Sequence, residues 1–315
     1  MNLFLVSFYA TLKIFIFIVA GYFLFKLKYF KKLYSILLFY TVNIAIPVLI
    51  LYRFSTTFNL VMLKKSILLP IYGFILIVLG YFIGKKLSNI LNLPLDKKNY
   101  FISSLMFSNC GYYPLPLFQT IFQGEDIALA QIYIFFFGFI YTTLIWSWGL
   151  NIITNKNFEK IGRFKFSVPF YAIIIGILLS FINIKKFLLP EIEYIVKIIS
   201  ESGMILILIL MGGGLSDVKL KNIKIGTAVI IVTLFRLIFL PLIAIPFIYF
   251  MKFDLIFRTV LLVETGVPVA VNIVIISQKY NKNSKIEFLF SIIVLNYLAS
   301  IFTVPILIFV AQNIL

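Results

Sequence analysis

A chain of 315 residues that is 62% hydrophobic and 12% charged, with a mean hydropathy of +1.09, has too little polar surface for a water-soluble enzyme, a disordered chain or a secreted disulfide scaffold. Its apolar runs are continuous, without the period-two alternation of an outer-membrane barrel, which leaves an all-α polytopic membrane protein. The net charge of +17 reads as membrane topology and not as nucleic-acid binding, while the single cysteine, Cys110, and the absence of histidine exclude a disulfide, His or Cys metal ligation and His-based acid–base catalysis.

In chain order, ten apolar segments reach the roughly 20 residues that cross a bilayer. They lie at roughly 3–25, 33–52, 66–84, 100–122, 127–150, 167–184, 193–215, 225–250, 256–278 and 287–311. The first has no basic leader and no small-residue cleavage site, so it reads as a retained helix. Loops after spans one, three, five, seven and nine carry 18 of the 28 Lys and Arg residues, among them Lys26, Lys28, Lys85, Lys97, Lys156, Arg163, Lys219, Lys221, Lys282 and Lys285. The opposite loops carry eight: Arg53, Lys64, Lys65, Lys185, Lys186, Lys197, Lys252 and Arg258. Positive charge accumulates in the cytoplasm, so both termini are expected outside.

Ten spans divide into halves of five, 1–150 and 151–315. An odd number of crossings makes two such repeats inverted in the membrane. The fourth and ninth spans hold the same place in each half, and both are interrupted. One reads Ser108-Asn109-Cys110-Gly111-Tyr112-Tyr113-Pro114-Leu115-Pro116, the other Glu264-Thr265-Gly266-Val267-Pro268-Val269-Ala270-Val271-Asn272. Proline removes a backbone donor and glycine adds freedom, so both spans are expected to unwind, at 111–116 and 266–268. Unwound backbone is tolerated in a bilayer only where protein buries it or where it lines a cavity. Paired interruptions are therefore the best sequence pointer to a transporter's site. The expected substrate-binding residues are Asn109, Gly111, Tyr112 and Pro114 from one break and Thr265, Gly266, Pro268 and Asn272 from the other. The two amides donate hydrogen bonds to a carboxylate, and half-helix N-termini add positive partial charge. Asn109 is equally readable as a cap on the freed backbone. Gln119, Gln131, Tyr133, Tyr141 and Asn296 are readable either as cavity lining or as interhelical packing.

At these residues the chain resembles the auxin efflux carrier family. The resemblance runs through Asn109-Cys110-Gly111 with Pro114 and Pro116, Val168-Pro169-Phe170-Tyr171, Met211-Gly212-Gly213-Gly214, Arg236-Leu237-Ile238 with Pro241, Val267-Pro268-Val269-Ala270-Val271-Asn272, and Ser300-Ile301-Phe302-Thr303-Val304-Pro305. It implies a ten-helix fold of two inverted repeats, like bile acid–sodium symporters. Spans 1, 2, 6 and 7 would form a scaffold, and spans 3–5 and 8–10 a mobile transport unit with spans four and nine crossing. It also implies a secondary transporter of small organic anions such as malate-like dicarboxylates or auxin-like acids, working as an elevator in the plasma membrane. No cofactor is expected beyond a coupling H+ or Na+, and a homodimer through the scaffold helices is a candidate assembly. Departures are Tyr112-Tyr113 and Glu264, each where smaller residues are common, and the short 151–166 connection in place of a long cytoplasmic loop.

Ionisable residues inside spans are functional candidates by default. Lys13, Glu201, Arg236 and Glu264 qualify. Glu264 is readable as a proton carrier or as the fixed partner of Arg236, with the ion pair slightly favoured. Rival classes are a sodium-coupled symporter, a passive anion channel and a membrane-embedded enzyme. The last lacks histidine and any G-x-S-x-G run, and no Walker motif supports direct use of ATP.

Overall fold

The computed structural model describes residues 3–155, 167–182, 184, 188–217, 220–280 and 286–314. Lys156, Lys160, Arg163, Lys165, Lys185, Lys186, Lys219, Lys282 and Lys285, counted above for topology, lie outside the described residues. Twelve helices are followed here. They are α1 (Leu3–Leu24), α2 (Lys28–Thr57), α3 (Leu60–Ile90), α4 (Leu95–Met106), α5 (Pro114–Ile121) and α6 (Gly124–Thr154). After them come α7 (Val168–Phe181), α8 (Pro190–Gly214), α9 (Thr227–Met251), α10 (Leu255–Thr265), α11 (Asn272–Tyr280) and α12 (Glu287–Asn313). Seven of them, α1, α2, α3, α6, α8, α9 and α12, are long and apolar enough to cross a membrane. With no strand among the described residues, the chain is an all-helical, multi-pass membrane protein.

The fourth and ninth apolar segments are not continuous helices. Each is a pair of half-helices, α4 with α5 and α10 with α11. The sixth, α7, has only 14 helical residues. Elsewhere the helices absorb proline without separating. Five-residue π turns at Thr41–Ala45 and Phe235–Phe239 stand just ahead of Pro47 and Pro241. The Ile46 N–H reaches the Thr41 carbonyl and the Leu240 N–H the Phe235 carbonyl. The wider turn accommodates the proline ring, which would otherwise clash one turn back.

Helices α1, α2, α7 and α8 pack on one another, α1 along α8 and α7 along α2. The remaining helices form a second group, in which α3 packs on α4 and α6, and α10 on α6, α9 and α12. The groups meet where α1 touches α5 and α12, and where α2 touches α6. Small residues set the closest approaches, as membrane helices require in the absence of a hydrophobic drive to associate. A Cβ on Gly212 would stand 1.8 Å from the Ile18 carbonyl oxygen, and one on Gly80 2.4 Å from that of Leu105.

Candidate functional site

Helix α4 ends because Phe107 turns to extended backbone, φ −112° and ψ 118°. Gly111 then takes φ +104°, a conformation that essentially only glycine adopts. Pro114 opens α5 at its first turn, where its missing N–H costs nothing. In the other break α10 closes at Gly266, whose N–H reaches the Val263 carbonyl at 2.9 Å. The chain runs without helix through Val267–Ala270 before α11 begins at Asn272.

The two breaks satisfy each other. Ser108 and Val269 face one another as an isolated antiparallel bridge. The Asn109 N–H donates to the Pro268 carbonyl at 2.8 Å, and the Ala270 N–H to the Phe107 carbonyl at 3.1 Å. Proline suits position 268 because this pairing asks only for its carbonyl. Backbone that leaves a helix inside a membrane must find partners in protein, and here the partner is the other break.

Side chains from both breaks share a small cavity. Asn109, Cys110, Tyr112 and Asn272 line it with Ser108 and Tyr141. At about 20 Å³ it holds roughly one water, so the site is closed around that volume. Tyr112 and Gly111 also border an apolar cavity of about 50 Å³, with Ile46, Ile50 and Phe170 opposite. That second cavity lies between the two helix groups. The Asn109 amide is held from behind, its Nδ2 donating to Tyr297 Oη at 2.6 Å. Tyr113 donates to Ser300 at 3.3 Å and packs edge-on against the Tyr297 ring.

Other expected residues serve packing. The Thr265 hydroxyl donates to its own helix at the Leu262 carbonyl, 2.6 Å away. A Cβ on Gly266 would lie 2.2 Å from Leu307 Cδ1. Pro268 is spent on the bridge, and buried Pro114 on starting α5. Of the five lining candidates, Tyr141 faces the cavity. Gln131 accepts from Arg53 Nε at 2.6 Å, Asn296 donates to Thr233 at 2.9 Å, Tyr133 stacks edge-on with Phe257, and Gln119 is half-buried in α5. Tyr297 was not legible from the sequence, and Ser108, though it opens the first interrupted run, was not expected in the site. Tyr297 is one of 18 tyrosines and belongs to no local pattern.

The four intramembrane ionisable residues separate sharply. Lys13 is exposed on α1, and Glu201 is exposed and pairs with Lys197 at 3.9 Å. Arg236 and Glu264 are fully buried. The expected direct ion pair between them does not form: no Arg236 nitrogen lies within 4.0 Å of a Glu264 oxygen among the ion pairs of the described residues, although each is within electrostatic reach of the other. Arg236 instead turns its Nη1 to the Leu105 carbonyl at 3.4 Å. There it caps the C-terminal, negative end of α4, a favourable place for a cation. Glu264 sits at the corresponding end of α10, where a negative charge is unfavourable, and neither carboxyl oxygen has a hydrogen-bond partner among the described residues.

A family model described as a membrane transport protein matches residues 6–161 and 161–308. No curated protein matches the chain.

Proposed function

The chain belongs to that membrane transport protein family, the auxin efflux carriers, and from this premise we propose that it carries small organic anions of the dicarboxylate class across the plasma membrane by alternating access at the paired breaks. The observation that carries the reading is the meeting of the two breaks. It gathers Asn109 and Asn272, two neutral amide donors, around one cavity, with the Asn109 amide held on Tyr297 and Met211 until a substrate carboxylate takes their place. Donors without a stoichiometric cation hold a carboxylate and still release it.

The reading extends to the whole architecture. Ten passes arise if the half-helix pairs α4/α5 and α10/α11 and the short α7 each cross once with the seven long helices. The grouping of α1, α2, α7 and α8 apart from the rest supports a fixed scaffold and a sliding transport unit. The apolar cavity between the groups supports a substrate path along that seam. The lysine-rich loops support an orientation with both termini outside, and the exposed apolar faces of α1 and α8 suit a homodimer through the scaffold.

Coupling belongs to Glu264. An ionised carboxylate buried without a partner at a negative helix end costs several kcal/mol. Taking up a cation, H+ or Na+, relieves that cost, and releasing it on the other side drives net movement. Arg236, held by α4, keeps the surrounding field from trapping the cation.

Counterflow in liposomes containing the purified protein tests the reading. Unlabelled malate outside should accelerate the exit of labelled malate, since a carrier exchanges through one site. Exit indifferent to external malate, across a panel of mono- and dicarboxylates, would point to a channel or to a different substrate class. Running the assay under separate pH and sodium gradients identifies the coupling ion.

A further inference from the structure

Two adjoining cavities at the lysine-rich end of the molecule lie outside the site described above. The first is a groove of about 350 Å³ between α1 and α12, walled by Phe15, Tyr22, Phe23, Phe290, Val294 and Leu298 among other apolar residues. Phe23 and Leu298 are exposed at its edge, so in a multi-pass membrane protein it opens towards acyl chains. From Phe290 to Leu298 the groove descends roughly 12 Å at 1.5 Å per residue, against about 15 Å for one leaflet of the hydrocarbon core. The second cavity, of about 420 Å³, is polar and lined by Asp96, Lys97, Lys221, Lys224, Glu287 and Ser291. The two share a wall. Ile223 and Phe290 border the first, their chain neighbours Lys224 and Ser291 border the second, and the Lys224 N–H donates to Ser291 Oγ at 3.0 Å. Lys26 Nζ stands 4.2 Å from the centre of the Tyr22 ring, at the rim of the groove.

We infer that these cavities form one binding site for an anionic phospholipid, an acyl chain in the groove and the phosphate beside Lys97, Lys221 and Lys224. The apolar half alone accepts any chain and selects nothing. Selection comes from the polar half, where among the described residues three lysines face two carboxylates and leave one net positive charge at headgroup depth. One charge at a membrane surface favours an anionic over a zwitterionic lipid by about fivefold. The site is also placed to matter. It lies between α1 and α12, one from each helix group, and Tyr297 forms part of its wall while accepting the Asn109 amide at 2.6 Å. A bound lipid therefore stands one side chain from the meeting of the breaks.

Native mass spectrometry of the purified full chain, titrated with phosphatidylglycerol and phosphatidylcholine of identical acyl chains, tests this without any transport assay, so its outcome is independent of the transport reading. The unaltered protein should retain phosphatidylglycerol about fivefold more tightly. The double variant Lys221→Gln with Lys224→Gln, both at exposed positions, makes the local charge negative; it should lose that preference and keep its phosphatidylcholine. Val294→Trp fills the groove and should weaken both lipids. Excess glycerol phosphate should displace neither. Equal retention of the two lipids by the unaltered protein, an undiminished preference in the lysine variant, or displacement by glycerol phosphate would overturn the inference.

Discussion

Asn109 and Asn272 are separated by 163 positions yet border one cavity, and each is expected to donate to a substrate carboxylate. Replacing either with alanine removes a hydrogen bond to a charged group, about 1.5–3 kcal/mol, or roughly ten- to a hundredfold in affinity. Equilibrium binding of labelled malate to the purified variants measures this, and unchanged affinity in both would remove the amides from the site. Glu264 makes a different prediction. Because no ion pair joins it to Arg236 among the described residues, Glu264→Gln should not lower the melting temperature. It should abolish uptake driven by a cation gradient and spare substrate exchange, which needs no net cation movement. A loss of about 3–5 kcal/mol would instead reveal a buried pair broken by the change. The residues that support the site were the hardest to read in advance. Asn109 stands in a motif, whereas Tyr297, which holds it, belongs to an uninterrupted helix with no local signature.

The two breaks depend on different chemistry at neighbouring positions. Gly111 has open space around it, with nothing within 4 Å of an added Cβ, and a φ of +104°. Gly111→Ala should therefore cost about 1–3 kcal/mol of backbone strain alone, read as a lowered melting temperature. Pro114→Ala, at the first turn of α5, should cost little, because that N–H has no partner in any helix. A larger loss for Pro114→Ala than for Gly111→Ala would mean that proline, and not glycine, enforces the break. The glycine-proline runs foretold that both spans break and that α10 stops at Gly266, but α4 already ends at Met106 and α5 resumes at Pro114, so the break runs over 107–113 and not over the expected 111–116. They could not foretell that the freed backbone would pair as a two-residue bridge, since that pairing joins residues about half a chain apart and depends on how α4 and α10 are docked.

For the molecule as a whole, sidedness rests on the lysine distribution. Helix α3 carries Lys64 near one end and Lys86 near the other, both exposed, about 33 Å apart along a helix. With the one native cysteine replaced, Cys110→Ser, a cysteine at Lys86→Cys should react with an impermeant maleimide only from the cytoplasmic side, and Lys64→Cys only from outside. The reverse pattern would invert the orientation of the chain and with it the direction of the proposed transport.

Composition and the spacing of apolar runs by themselves determined the class of this protein, because a bilayer demands long apolar helices and admits few alternatives. The paired glycine-proline interruptions likewise marked the two spans that break, because helix breaks in a membrane are too costly to occur without a partner. Tertiary structure decided the rest. It joined the two breaks through backbone bonds, and it assigned Thr265 and Gly266 to packing while Asn109, Tyr112 and Asn272 took the cavity. It also gave Arg236 to the end of α4 and left Glu264 without a hydrogen-bond partner among the described residues. Each of these outcomes depends on which helix faces turn towards one another. That is settled by close fits such as Gly80 on Leu105 of the next helix and Gly212 on Ile18, 194 positions away in the chain, and no local run of residues encodes such a fit.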